Sequence, residues 1–282
     1  MKKTAVVIVT YNNAPLLAQL LTDVCSQTYP VARIIVVDNA SKDETRAMVG
    51  EKFPNVQYIR LPVNSGSAGG YCEGLKAALV DSDYIWTLDD DGGLFSDTLE
   101  NLVCGLESLD GSFNAAAARD VGKNHPYTMP TPLEIAPWKG TLFKADVLRK
   151  VGLPEKEYFM YGEDIEYSLR LHKNGYSIYW IPTSKAFERR QEKSSGMLLG
   201  REVQTYPDAF RLYYAFRNQV QIYNRYRLYG RCFRMLLYGV KILTFLLLVN
   251  KTAVVEKCCA VVAGIADGLR NRLGPNARYM PA

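Results

Sequence analysis

Three consecutive carboxylates, Asp89, Asp90 and Asp91, stand directly after an apolar run at 84–88 and directly before Gly92 and Gly93. Tyr, Ile, Trp and Thr favour an extended chain, and Gly-Gly ends it. On such a chain alternate side chains share a face, so Asp89 and Asp91 point one way and Asp90 the other. Two hard oxygen ligands at the carboxyl end of a buried strand suit Mg²⁺ or Mn²⁺ with a phosphate beyond the metal. The plainer reading is a solvated acidic turn, but three like charges after a core strand repel unless something positive sits among them. A second acidic pair, Glu163-Asp164, opens a segment in which Ile165, Ser168, Leu169 and Leu171 recur at helical spacing. Asp164 then lies in the first turn, near the positive helix end, where a dipole role alone would explain it.

The elements that must position these acids follow an alternating rhythm. Residues 5–10, AVVIVT, form a β-branched run suited to a strand buried on both faces. Residues 14–27 carry Leu16, Leu17, Leu20, Leu21 and Val24 at helical spacing, with Pro15 in the first turn after Asn13. Residues 33–38 and 56–61 are further strands, with a short helix at 44–53 between them. A small-residue loop at 64–70 opens a helix expected at 71–80. Strand and helix in this order give an α/β fold with a mostly parallel, Rossmann-like sheet flanked by helices. Ligands of such sheets bind beyond the carboxyl ends of the strands, where loops 10–13, 38–42 and 89–93 lie. There Asp38 can accept hydrogen bonds from a base or ribose, and the 64–70 loop can offer backbone N–H groups, or serve merely as a turn. Neither a P-loop nor a GxGxxG dinucleotide motif after the first strand is present.

Downstream, helices are expected at 98–109 and 146–151 and strands at 114–118, 138–143 and 176–180. Residues 121–137, with His125, read as a loop near an acceptor, and 191–203 as a mobile loop of the kind that closes over a ligand. Trp138 is open to two readings, sugar stacking or core packing. The net charge of +5 hides an asymmetry: residues 209–282 hold twelve Lys or Arg against only Glu256 and Asp267. Residues 209–229 form a helix rich in Tyr and Arg. Residues 235–249 are strongly apolar but short for a bilayer span and interrupted by Lys241. An amphipathic helix at a membrane surface suits them, with a core helix or a contact between copies as rivals, and a second helix at 253–269 follows. The six cysteines show no CxxC spacing, and the six-residue apolar run at the N-terminus is short for a signal segment.

The pieces VVIVTYNN, VVDNASKDET, NSGSAGG, LDDDG and Gly162-Glu163-Asp164, in this order over roughly residues 4–190, resemble the inverting family 2 glycosyltransferases of GT-A fold. The triple acid and Tyr213-Tyr214…Arg217-Asn218 resemble the galactofuranosyl- and rhamnosyltransferase branches that build bacterial surface polysaccharides. The resemblance implies a donor site with Thr10, Tyr11, Asp38 and Asn39 at the base. Asn64 and Gly69 would lie along ribose and phosphates, and Asp89 and Asp91 on Mn²⁺ or Mg²⁺, with Asp90 between them. It implies Asp164 as the base that deprotonates the acceptor hydroxyl. Relatives often add a histidine ligand about twenty residues past that base; here Glu188 or water would take its place, and His172 reads as structural. Arg217 would meet phosphates or a polyanionic carrier.

These readings combine into a catalytic domain at 1–205 and a basic, apolar helical region at 206–282. The expected partners are a UDP- or dTDP-sugar, a glycan or lipid-linked acceptor, a membrane surface on the cytoplasmic side and a second copy of the chain; nucleic acid is disfavoured. A sugar nucleotidyltransferase would want basic residues in a glycine-rich loop after the first strand, which TYNNAP lacks. A non-catalytic membrane-bound scaffold is the alternative of a different class.

Overall fold

The computed structural model describes residues 1–282 apart from 109–112, 123–126, 190–193, 199, 250–252 and 282. His125 and part of the 191–203 segment thus lie outside the described residues. Two compact units emerge, Met1–Glu155 with Tyr167–Arg190, and Lys156–Glu166 with Gln191–Ala282. The sequence placed this division at 205; the structure groups 156–166 and 191–205 with the C-terminal helices instead.

The first unit runs β1 (Thr4–Thr10), α1 (Ala14–Cys25), β2 (Arg33–Asp38), α2 (Thr45–Lys52), β3 (Gln57–Arg60), α3 (Gly66–Ala78) and β4 (Tyr84–Asp89). These four strands are parallel, in the order β3-β2-β1-β4. The chain continues through β5 (Gly92–Leu94), α4 (Thr98–Glu107), β6 (Phe113–Asp120), β7 (Thr131–Leu133), β8 (Thr141–Lys144), α5 (Ala145–Val151), α6 (Glu163–Lys173) and β9 (Ser177–Glu188). Past β4 the sheet order is β8-β6-β9-β5, where β8 is antiparallel to β4 and β6 parallel to β9, while β7 pairs with β9 off this path.

β1 shows why the sheet sits between two helical layers. Val6 and Ile8 pack with Val36, Trp86 and Leu17 on one face, and Val7 and Val9 with Val37, Ile85 and Leu75 on the other. Both alternating sets are apolar, as a doubly covered strand requires. The small-residue run has its own physical reason. It is not a loop but the first turns of α3, which starts at Gly66. A Cβ on Gly70 would lie 2.5 Å from Val9 Cγ1, and one on Gly74 would lie 2.4 Å from Val7 Cγ1. These glycines let the helix backbone approach the sheet.

The second unit contains the antiparallel ribbon of β10 (Ser194–Leu198) and β11 (Arg201–Thr205), where a loop was expected. α7 (Ala209–Arg225), α8 (Tyr229–Leu248) and α9 (Val254–Leu269) follow. Their core joins Leu212, Phe216 and Val220 with Ile242, Phe245, Ala260 and Val261. α8 is two-faced: Cys232, Met235, Gly239, Ile242 and Phe245 are buried, while Tyr229, Phe233, Leu237, Val240 and Leu247 are exposed. Among the described residues, no helix is long and apolar enough to cross a membrane.

α9 meets α7 through glycine. A Cβ on Gly264 would stand 2.6 Å from the Tyr213 carbonyl oxygen, and one on Gly268 2.5 Å from that of Arg217. Backbone oxygens cannot step aside as a side chain can. Gly264→Leu is therefore expected to destabilise the chain by about 3 kcal/mol, since overpacking outweighs the gain in helix propensity. Chemical denaturation of the purified variant measures this.

Candidate active site

β4 ends at Asp89, so strand periodicity does not reach Asp91: Asp90 and Asp91 lie in the turn to β5. The three acids consequently have three different surroundings. Asp89 Oδ1 accepts a 2.6 Å hydrogen bond from the Tyr71 hydroxyl of α3. Burial raises the Asp89 pKa, opposed by that hydrogen bond and by the charge of Lys139. Asp90 turns to the end of β1. Its Oδ2 accepts from Thr10 Oγ1 at 2.6 Å and from the Tyr11 N–H at 3.3 Å, and its Oδ1 from Asn13 Nδ2 at 2.9 Å. Burial pushes its pKa up to about 7, against the pull of Thr10 and Asn13 and with the repulsion of Asp91 and Asp89. Asp91 accepts the Arg189 N–H on its carbonyl oxygen at 2.9 Å.

β5 is pinned so that this turn cannot drift. Arg189 donates to the Gly92 carbonyl, and at 2.5 Å to Asp23 of α1, which also accepts the Leu94 N–H at 2.9 Å. The pairing of Gly92 with Glu188 brings the end of β9 beside the acids. Asp89, Lys139 and Glu188 border one cavity of about 200 Å³, with Asp120, Trp180 and Pro137 on its wall. Glu188, the expected third metal ligand, is ion-paired with Lys139 there. Lys139 is the functional candidate that sequence reasoning missed. It stands alone in WKGTLF, and only the fold brings it to two carboxylates.

Among the described residues no group of three His, Cys, Asp or Glu side chains converges as a metal cage. Mg²⁺ and Mn²⁺ do not need one, because one or two carboxylates plus substrate phosphate oxygens complete their shell. The hard, partly desolvated carboxylate of Asp89 fits such a cation.

The expected nucleoside residues are braced from behind. Asp38 is fully buried, accepting from the Ser41 N–H at 2.8 Å, the Tyr58 hydroxyl at 2.5 Å and Arg60 at 3.0 Å. Its oxygens are thus not open to a base, a correction to its expected role. They fix the β2–α2 turn and push the Tyr58 phenol pKa up, after the larger effect of burial. Asn39 joins that turn to α3, donating to the Gly66 carbonyl at 3.1 Å and accepting the Ser65 N–H at 3.1 Å. Asn64 accepts the Gly66 N–H at 2.8 Å, a local turn at the start of α3. Gly69 is buried against Ser65 and so packs rather than lining a phosphate. Trp138 is a core residue, stacked on Tyr71 at 5.0 Å and near Phe143 and Tyr167. His172 is structural, with Nε2 3.0 Å from the carbonyl oxygens of Leu133 and Glu134.

In the second unit Glu163 and Asp164 start α6 after an unusual turn. Phe159, Tyr161 and Gly162 all have positive φ, 66°, 62° and 88°. Two of these are bulky residues, for which that conformation is strained. Asn218 holds it: Nδ2 donates to the carbonyls of Tyr158, Met160 and Tyr161 at 2.9, 2.8 and 2.5 Å. Arg217, 1% exposed, donates to the Tyr158 carbonyl at 2.8 Å and to that of Gly274, and stacks over Tyr214. The expected phosphate contact of Arg217 is therefore corrected to a bracing role, since every nitrogen of the guanidinium is engaged. Asp164 Oδ1 accepts the Ile165 N–H at 2.8 Å, and both acids raise the pKa of Tyr206, behind the larger effects of its burial and of Tyr238.

A mostly parallel α/β sheet with acids beyond the carboxyl end of its fourth strand is a GT-A-like fold. Residues 5–157 match Glycosyl transferase family 2, and the chain belongs to that family of glycosyltransferases. It is 26% identical to the galactofuranosyltransferase GlfT1 of Mycolicibacterium smegmatis over 76% of this chain and 80% of the relative. It is 25% identical to the undecaprenyl-phosphate mannosyltransferase of Micrococcus luteus, over 70% of this chain and 89% of the relative. In fold it is similar to S. aureus TarS 1-349 in complex with UDP-GlcNAc, at TM-score 0.63, 18% identity and 95% and 81% coverage. It is also similar to the mannosyltransferase PcManGT of Pyrobaculum calidifontis with GDP-Man and Mn²⁺, at TM-score 0.60, 19% identity and 94% and 75% coverage.

The Asn218 clamp yields a sharp expectation. Asn218→Ala releases three carbonyl groups and lets the 158–162 turn relax; with Asp164 as the expected base, kcat for sugar transfer is expected to fall at least tenfold, since small misplacement of such a group is costly. Nucleotide-sugar binding, read by thermal shift, is expected to stay within about twofold of wild type, the equivalent of ~0.4 kcal/mol.

Proposed function

We propose that this chain is a metal-dependent inverting hexosyltransferase using a UDP- or dTDP-sugar, with galactofuranose or rhamnose favoured, and a glycan or lipid-linked acceptor. The observation that carries the reading is the desolvated Asp89, held by Tyr71 and Lys139 at the end of β4. Similarity to a galactofuranosyltransferase supports the sugar, and TarS with bound UDP-GlcNAc supports a uridine nucleotide.

In this reading Thr10 and Tyr11 offer the turn that receives the nucleoside, with Asp38 and Asn39 fixing its shape. Asn64 faces the ribose and phosphates, and Asp89 and Asp91 would hold Mn²⁺ or Mg²⁺ against the diphosphate. A bound divalent cation would neutralise charge developing on the departing nucleotide diphosphate. Lys139 adds a positive charge beside Asp89. Asp164 takes the proton of the acceptor hydroxyl as that oxygen forms its bond to the anomeric carbon and the bond to the diphosphate breaks. Displacement from the opposite face inverts the anomeric centre. Asp164 lies in the first turn of α6, where the helix dipole favours negative charge.

The exposed stripe of α8, with Arg234 and Lys241 beside Phe233, Leu237 and Val240, suits the surface of an anionic membrane. The enzyme would then work peripherally on the cytoplasmic face, next to a lipid-linked acceptor.

Three measurements test these assignments. Asp164→Asn is expected to lower transfer by about 10²–10⁴-fold with donor binding retained; full activity would remove Asp164 from the base role. Asp89→Asn should lose the Mn²⁺-dependent thermal stabilisation by a UDP-sugar that wild type shows, because only the folded state binds that ligand. Phe233→Asp with Leu237→Asp should abolish co-sedimentation with phosphatidylglycerol vesicles without changing the unfolding midpoint; unchanged binding would exclude α8 as the docking face.

A further inference from the structure

The Lys139–Glu188 ion pair borders the cavity of about 200 Å³ that Asp89 also lines, at the end of β4. Among the described residues, Lys139 is the one cationic side chain on that cavity, against the carboxylates of Asp89, Asp120 and Glu188. Its charge acts on Asp89 as well as on Glu188, so one ammonium serves acids on two different strands. Asp89 is also the acid expected to meet a divalent cation. Lys139 thus stands where a metal ion would have to compete with it.

The root of this lysine is fixed and its head is not. The Gly140 N–H donates to the Thr87 carbonyl of β4 at 2.8 Å, and the Gly140 carbonyl accepts from the Ala118 N–H of β6 at 3.0 Å. On the other side the Trp138 carbonyl accepts from Thr87 Oγ1 at 2.5 Å. Beyond that root runs a flexible four-carbon stem with a compact charge at its tip. The side chain is 29% exposed and borders open cavity, so the ammonium has room to shift between its two acids. Glu188 is rooted as firmly, since β9 pairs with β5 at Gly92 and the next residue, Arg189, donates its N–H to the Asp91 carbonyl.

We propose that Lys139 is the resident counter-cation of Asp89, that it disfavours a divalent cation until a nucleotide diphosphate arrives, and that Glu188 seats the ammonium when it withdraws. An ammonium and a metal ion at one carboxylate repel, and burial keeps that repulsion from being screened away. A diphosphate reverses the balance because its negative charge attracts both cations. Alone, the metal therefore meets a site already filled, whereas the nucleotide alone meets a positive charge. Cation and nucleotide are coupled through one side chain, and such coupling is reciprocal. The inference rests on the reading of Asp89 as the acid that meets the metal, and it adds the order in which that site fills: nucleotide first, or both together. A lysine that merely braced the fold would give no such coupling, since its loss would weaken both ligands alike.

Two titrations of the full chain test this. Mn²⁺ is added without nucleotide and followed by the electron paramagnetic resonance signal of the free ion. UDP, with dTDP beside it, is titrated by calorimetry in EDTA. Lys139→Met is expected to bind Mn²⁺ about tenfold tighter and the nucleotide about tenfold weaker than wild type, within the usual range of coupling between sites. Glu188→Gln leaves the ammonium to Asp89 alone and is expected to shift both affinities the opposite way. Lys139→Arg keeps the charge and is expected to hold both near wild type. The tighter Mn²⁺ binding of Lys139→Met is expected to persist when Glu188→Gln is added; its loss would make Glu188 the ligand and overturn the proposal. Shifts of one sign in both titrations, or no shift, overturn it as well. If Lys139→Met fails to fold, Glu188→Gln carries the same test with the signs reversed. Wild type that takes up no Mn²⁺ even beside nucleotide, or uptake unchanged in Asp89→Asn, would sink the metal reading of Asp89 itself. With Asp89-dependent uptake intact, unresponsive Lys139 and Glu188 variants would sink only this coupling.

Discussion

Crowding of like charge at the end of a buried strand is the constraint around which the first unit is arranged. Asp89, Asp90 and Asp91 lose hydration where they most need it, and each must be given something in return. Tyr71 and Lys139 serve Asp89; Thr10, Asn13 and a backbone N–H serve Asp90. The compensation for Asp90 is incomplete, since its pKa remains near 7. A strand end that stays electrostatically unsatisfied is suited to receiving a cation, and the sheet supplies the rigidity to hold it. Arg189, Asp23 and the β5–β9 pairing serve that rigidity rather than ligand contact.

The second unit solves a backbone problem with the same economy of charge. A turn with two bulky residues at positive φ persists only if its surroundings over-determine it. Asn218 and Arg217 do so by donating to the carbonyls that the turn leaves without helical partners. Tyr213 and Tyr214 bracket the guanidinium, and Asp267 and Asn276 fix the Tyr213 hydroxyl. The turn in turn aims Glu163 and Asp164. A buried arginine thus fixes the start of α6 from behind the turn.

The sequence was most legible where periodicity and burial agree. The strands at 4–10, 33–38 and 84–89 and the helix at 14–25 lie within one or two residues of their expected bounds, because each is covered by core on the faces its pattern requires. The parallel half-sheet followed from them, and the family from the motifs at their ends. Legibility failed where one residue type serves two physical ends. Glycine suits both a phosphate loop and close helix packing, and only the 2.4 Å approach to Val7 shows that Gly74 and its neighbours do the second. Arginine suits both phosphate and buried carbonyls, and burial of Arg217 decides between them. Lys139 carried no local signal at all, since its partners lie about 50 residues away on either side in the chain, on β4 and β9.

The helix at 229–248 shows why burial of one stripe leaves the reading of the other open. As a membrane-surface helix and as a core helix it was open to alternatives that exclude each other only if the segment has a single apolar face. Gly239, Ile242 and Phe245 enter the core of the second unit, while Phe233, Leu237 and Leu247 stay in solvent on the other side. Burying one stripe against α7 stabilises the fold and leaves the second stripe exposed. Leaving so much apolar surface exposed is disfavoured in water, so its retention beside Arg234 and Lys241 argues for a working surface rather than for incomplete packing.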